Sequence, residues 1–185
     1  MNNIIFKNKL FFFIIFNIFF SIFYLYSKHE VGNDTSISEW LINYQGGFTR
    51  RGLGGEINIF ISNFISLSLR DSIFLLQIII HTIYLVFVLF YLKDLNLNIL
   101  QIFAFFSPIF LLYPISEIES LGRKETLISL CFVSVLILSE KKIKPLLINL
   151  FVGLTFPILC LIWEEVILFA PFFAVVLIVK NHFFS

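Results

Sequence analysis

Two adjacent arginines stand in the stretch Gly46-Gly47-Phe48-Thr49-Arg50-Arg51-Gly52-Leu53-Gly54-Gly55-Glu56, which holds five of the chain's eight glycines. Clustered glycines let a backbone turn sharply and bring its amides up to a ligand. Paired guanidinium groups are flat, permanently charged forks that match phosphate oxygens. Together they suit a phosphate or pyrophosphate headgroup. The stretch lacks the Gly-Lys-Ser/Thr ending of a P-loop. Its plainer structural reading is a tight turn between two surface helices, with the arginines on lipid phosphates.

Carboxylates recur near three apolar boundaries. Glu30 and Asp34 follow the first apolar run, where either could serve as general base or metal ligand. In Pro114-Ile115-Ser116-Glu117-Ile118-Glu119-Ser120-Leu121-Gly122-Arg123-Lys124-Glu125, Glu117 and Glu119 can share a proton or a divalent cation. Arg123 and Lys124 offer a second phosphate contact. No other cofactor is implied. Trp163-Glu164-Glu165 joins two apolar runs with almost no polar buffer. A charge at a bilayer centre costs roughly 2.5–3.5 kcal/mol, so Glu164 and Glu165 belong at headgroup level or in a cavity and are additional candidate site residues. Membrane CAAX-type proteases also carry a Glu-Glu pair, but they need an arginine where this chain has Phe169, which excludes them.

The elements that position these groups follow from composition. The chain is 59% hydrophobic and 14% charged over 185 residues, against about 45–50% and about 25% in soluble domains. A soluble enzyme, a nucleic-acid module and a disordered tail are excluded, and a net charge of +1 implies no polyanion partner. The expected fold is all-α: one polytopic transmembrane helical bundle over residues 1–185. Its apolar runs suggest about six spans, at 4–26, 72–92, 97–113, 126–138, 145–162 and 166–179. The run from 145 to 179 is too long for one crossing of a ~30 Å core and breaks at Trp163-Glu164-Glu165. The 26 phenylalanines read as lipid-facing surface, and Cys131 and Cys160 as small hydrophobes. His81 and Gln77 inside a span read as interhelical hydrogen-bonding groups.

The long loop 27–71 should carry two interfacial helices, at about 37–45 and 56–69. Ser36 and Glu39 have capping-box spacing. Ile37, Trp40, Leu41 and Tyr44 share one face, with Trp40 and Tyr44 suited to the headgroup layer. Ile57, Phe60, Ile61, Phe64 and Ile65 form an apolar stripe opposite Asn58, Ser62, Asn63 and Ser66. The alternative is that 56–69 simply begins the second span. Six spans with both termini cytoplasmic put seven lysines and two acids inside. Every arginine and ten acids then lie outside. By number the basic residues orient the chain weakly, but the sorting by type gathers a polar site on the outer face.

This layout resembles the GT-C-type membrane glycosyltransferases, which use polyprenyl-phosphate-linked sugars. They have a long first outer loop with interfacial helices, an acid soon after the first span, a later acidic cluster and phosphate-binding arginines. Glu30 or Asp34 would match the first acid, and Glu117 or Glu119 the second. Arg50, Arg51 and Arg123 would suit the phosphate. The arginine-glycine stretch is also similar to one in bacterial membrane proteins of surface-polysaccharide assembly. The resemblance covers roughly residues 1–125 and implies a bacterial cytoplasmic-membrane protein, with membrane lipid and a polyprenyl-linked sugar as partners. That class has eight or more spans, so this chain reads as a short relative or a fragment, consistent with its end at His182-Phe183-Phe184-Ser185 directly after a span. The alternatives from other classes are a substrate-capture subunit of a small-molecule transporter and a non-catalytic assembly partner.

Overall fold

The computed structural model describes residues 3–31, 35–93, 95, 97–107, 110–141 and 143–183. Asp34 and Pro108 lie outside the described residues. The helices are α1 (Asn3–Glu30), α2 (Thr35–Leu41), α3 (Leu53–Ile65), α4 (Leu69–Leu92), α5 (Ile99–Phe105), α6 (Tyr113–Ser116), α7 (Glu125–Glu140), α8 (Pro145–Ile162) and α9 (Ala170–Phe183), with 3₁₀ turns at Ile118–Ser120 and Glu164–Phe169. Lys7–Glu30, Leu69–Leu92 and Pro145–Ile162 are long and apolar enough to cross a membrane. At 1.5 Å per residue, α7 reaches only about 24 Å.

The helices stack along one axis. At one end Ile73 and Ile80 of α4 cluster with Leu127 of α7. At the other, Leu85, Val88 and Leu92 meet Val133 and Ile137, so α4 and α7 run parallel. Helix α1 is antiparallel to α4: Leu10 and Ile14 join the Leu85 cluster, while His29 Nε2 lies 3.0 Å from Asp71 Oδ1. Helices α8 and α9 pack on α7 through Ile148, Val152, Leu159 and Phe173. One end of the bundle carries Arg51, Arg70 and Arg123, and the other carries Lys93, Lys141 and Lys180.

Because α4 and α7 are parallel, residues 93–124 must travel back along the bundle. The expected span at 97–113 is not one helix. It breaks into seven-residue α5 and four-residue α6, separated by non-helical backbone. An Asn98–Gln101 capping box starts α5. Ser107 precedes Pro108 in sequence, which biases Ser107 away from helix.

Freed carbonyls along this return find buried donors. Asn17 Nδ2 donates to Leu111 O at 3.1 Å, Ser21 Oγ to Asn17 Oδ1 at 3.4 Å, and His81 Nε2 lies 3.0 Å from Ser21 Oγ. Gly122 O accepts from both Trp40 Nε1 (2.8 Å) and Gln77 Nε2 (2.9 Å), and Lys28 Nζ donates to Leu121 O. The interhelical role expected of His81 holds, while Gln77 serves a turn carbonyl and not a neighbouring helix. Gly122 has φ +82°, and a Cβ there would come within 2.9 Å of Gln77 and Leu25 side-chain atoms.

The loop helices differ from expectation in three ways. Helix α2 begins at Thr35 and ends at Leu41, so Ser36 is inside it, buried, and does not precede it as a cap. Trp40 is 2% exposed because its indole N–H serves Gly122, so it is core and not a headgroup anchor. Helix α3 stops where Ser66 adopts a left-handed φ of 59°, and α4 restarts at the Ser68 cap. Residues 56–69 are therefore neither one helix nor the start of α4. The small and polar side of α3 (Gly54, Gly55, Asn58, Ser62) faces the protein, with Asn58 Nδ2 on Leu69 O and Ser72 Oγ on Asn58 Oδ1. Its apolar side faces outward, with Phe60 69% and Phe64 80% exposed.

Asn17→Leu strands the Leu111 carbonyl and should lower stability by about 1–3 kcal/mol, read as a drop in the thermal unfolding midpoint in detergent. Gly122→Ala should lower it by more than about 1 kcal/mol, since alanine is strained at positive φ.

Candidate functional site

The arginine–glycine stretch is a turn joining α2 to α3, closed by contacts that leave no room for a side chain at Gly52 or Gly55. Glu56 Oε1 accepts the Tyr44 amide at 2.8 Å. A Cβ on Gly55 would lie 2.2 Å from Ile42 O, and one on Gly52 would strike the Tyr44 ring. Phe48 stacks on Tyr44, with ring centroids 5.6 Å apart and planes 7° apart. The turn is thereby fixed over the start of α3, with both arginines on its crest.

Arg51 Nη2 binds Glu164 Oε1 at 2.8 Å and approaches Glu165 Oε1 at 3.9 Å. Arg50 is 85% exposed and reaches Glu164 only at 3.8 Å, so most of its fork faces outward. The Arg51 hydrogen bond holds the Glu164 carboxyl below its ordinary range. Glu165 is more open than Glu164.

Lys124 lies beneath the turn and is only 2% exposed. Its ammonium donates to Arg51 O at 3.3 Å and Ile162 O at 3.2 Å and stands 5.7 Å from the Trp40 ring centre. Burial lowers it to about 8 from an ordinary 10.5. A neutral amine still has two hydrogens for these two carbonyls. Beside it, burial raises the Glu125 carboxyl, and Glu125 Oε1 stands 3.8 Å from Arg123 Nη1. Glu39 adds its negative field at Arg51, Lys124 and Glu125.

Of the residues named from sequence, Arg50, Arg51, Lys124, Glu164 and Glu165 come together, with Arg123 at the edge. Lys124 ties backbone and is covered, whereas the spacing had suggested a phosphate contact. Glu30, Glu117 and Glu119 are exposed, and no ion pair among the described residues joins them to the cluster. Asp34 lies outside the described residues. Glu39 and Glu125 are additional members. Glu39 had read as a helix cap and Glu125 as loop charge, and only the fold brings them beside Lys124. Among the described residues, no group of three or more His, Cys, Asp or Glu side chains is placed to hold a metal ion. No family model, curated protein or solved structure matches the chain.

The lowered Lys124 value has a definite pH consequence. Between about pH 8 and 10.5 the unfolded chain holds a proton that the folded Lys124 has released, so this group makes stability rise with pH across that window. Thermal midpoints measured over that range should climb in the parent protein relative to Lys124→Met, which lacks the titrating amine.

Proposed function

We propose that the chain is a six-crossing membrane protein of surface polysaccharide or glycolipid assembly. It acts as a glycosyltransferase-like protein on a polyprenyl-phosphate-linked sugar at the outer face of a bacterial cytoplasmic membrane. Both termini are cytoplasmic. The crossings are α1, α4, the broken return over 97–113, residues 126–138 of α7, α8, and residues 166–179 of the last 3₁₀ turn and α9, which leaves Lys124, Glu125, Glu164 and Glu165 at the outer surface. In this orientation Lys93, Lys141 and Lys180 lie at the cytoplasmic end, and the arginines share the outer end with Lys28 and Lys124.

The observation that carries the reading is the open Arg50 fork, held beside Arg51 on a rigid turn and next to the exposed Glu165. In this mechanism the donor phosphate docks on Arg50. The acceptor hydroxyl oxygen attacks the anomeric carbon, the bond from that carbon to the phosphate oxygen breaks, and Arg50 stabilises the departing anion. The hydroxyl proton passes to Glu165. Arg51, engaged by Glu164, sets the height of the turn. Glu30, Glu117 and Glu119 are exposed carboxylates at the same end of the bundle, available to hold the sugar and acceptor. Transport is less well supported, because Asn17, Ser21 and Gln77 in the interior are spent on one another and on backbone carbonyls.

The test is turnover of labelled polyprenyl-phosphate sugar by the full chain in proteoliposomes. Arg50→Ala should lower transfer by roughly 10²–10³-fold, the effect of losing one donor to a developing anion. Its thermal midpoint should stay unchanged. Arg50→Ala with Arg51→Ala should abolish transfer. Normal transfer by the double variant would sink the reading.

A further inference from the structure

At the lysine end, a groove of about 780 Å³ opens between α4, α7 and α8, lined by Phe87, Phe90, Ser134, Ile137, Leu138 and Phe151, with Lys93, Glu140 and Lys141 toward the helix ends. A narrower recess of about 290 Å³ shares Phe87, Ser134 and Phe151 with it and continues toward Leu127. The two adjoin along α7.

Three features bear on its occupant. First, Lys93 does not extend away from the groove: its ammonium lies over the Phe90 ring, 4.6 Å from the centroid. Second, Lys93 and Lys141 follow the last residues of α4 and α7, so both cations stand where apolar helix surface gives way to the bundle end. Third, the wide part runs from Ser134 to Lys141, about 10 Å of helix. That falls within one leaflet, half of a ~30 Å core, and is too short to seat a crossing helix from another protein.

We propose that this groove binds one phospholipid with an anionic headgroup, its phosphate between Lys93 and Lys141 and an acyl chain on Phe87, Ile137 and Phe151, with the chain end in the recess under Ser134. The site is distinct from the Arg51 cluster at the opposite end and does not depend on the glycosyl-transfer reading. Among the described lining residues, Lys93 and Lys141 outnumber the acid Glu140. Each basic group near an anionic membrane surface contributes about 1 kcal/mol.

The experiment compares spin-labelled phosphatidylglycerol and phosphatidylcholine of identical chains bound to the full protein in bilayers of the two lipids. The parent should hold the anionic lipid over the neutral one by roughly fivefold or more, the ratio one such lysine supplies. Lys93→Gln with Lys141→Gln should bring the ratio to about one, while Lys144→Gln, outside the groove lining, should keep the parent ratio. Ser134→Trp, which adds an indole to the lining that the groove and the recess share, should remove the motionally restricted lipid whatever its headgroup. Equal binding of the two lipids by the parent would overturn the proposal, as would an unchanged ratio in the double variant. So would a second copy of the chain whose release by Ser134→Trp shows that protein fills the groove.

Discussion

A backbone carbonyl in an apolar medium must find a donor, since no water is there to supply one. That constraint governs where this chain spends its few polar side chains. Asn17 serves Leu111, Gln77 and Trp40 serve Gly122, and Lys28 serves Leu121. Lys124 serves Arg51 and Ile162, and Lys180 serves Ser139 and Lys141. Arg70 reaches the carbonyls of His29 and Val31. In each case a side-chain or indole N–H completes a helix end or an irregular segment. These contacts allow residues 93–124 to return along the bundle without being a continuous helix.

The candidate site depends on the same device. Lys124 clamps the arginine turn to the end of α8, and Glu164, one residue beyond Trp163, then lies within reach of Arg51. The Arg51–Glu164 pair is thus positioned by a lysine that touches neither side chain. Arg50, one residue earlier, has no such clamp and points outward. Two neighbours of identical type therefore differ in role: Arg51 is a fastening and Arg50 an open fork.

Hydropathy made α1, α4 and α8 legible in the sequence, because long apolar runs have few other outcomes. It failed at 97–113, where the side chains are as apolar as in any span. There the break falls at Ser107, which the following Pro108 biases away from helix and which hydropathy does not sense. The stripes of α3 were legible, but not their direction, since a membrane-facing helix turns its apolar side outward and its small side inward. Arg50, Arg51, Glu164 and Glu165 could be chosen by type and spacing. Glu39 and Glu125 could not, because Lys124 joins them only through tertiary packing. Burial of Lys124 had one faint signal: Gly122 two residues before it, turning the chain inward.

The donors that complete the broken return share a property of sequence order. Asn17, Lys28, Trp40 and Gln77 all precede Leu111, Leu121 and Gly122. A ribosome delivers the chain from its N-terminus, and domains generally form in that order. When the irregular segment leaves the exit tunnel, the side chains that will hold the Leu111, Leu121 and Gly122 carbonyls have already been made. The segment can dock onto a waiting template of α1, α2 and α4 and need not idle in lipid with its backbone exposed. A circular permutation that began the chain at α2 and placed α1 after α9 would put Asn17 and Lys28 behind the carbonyls they serve.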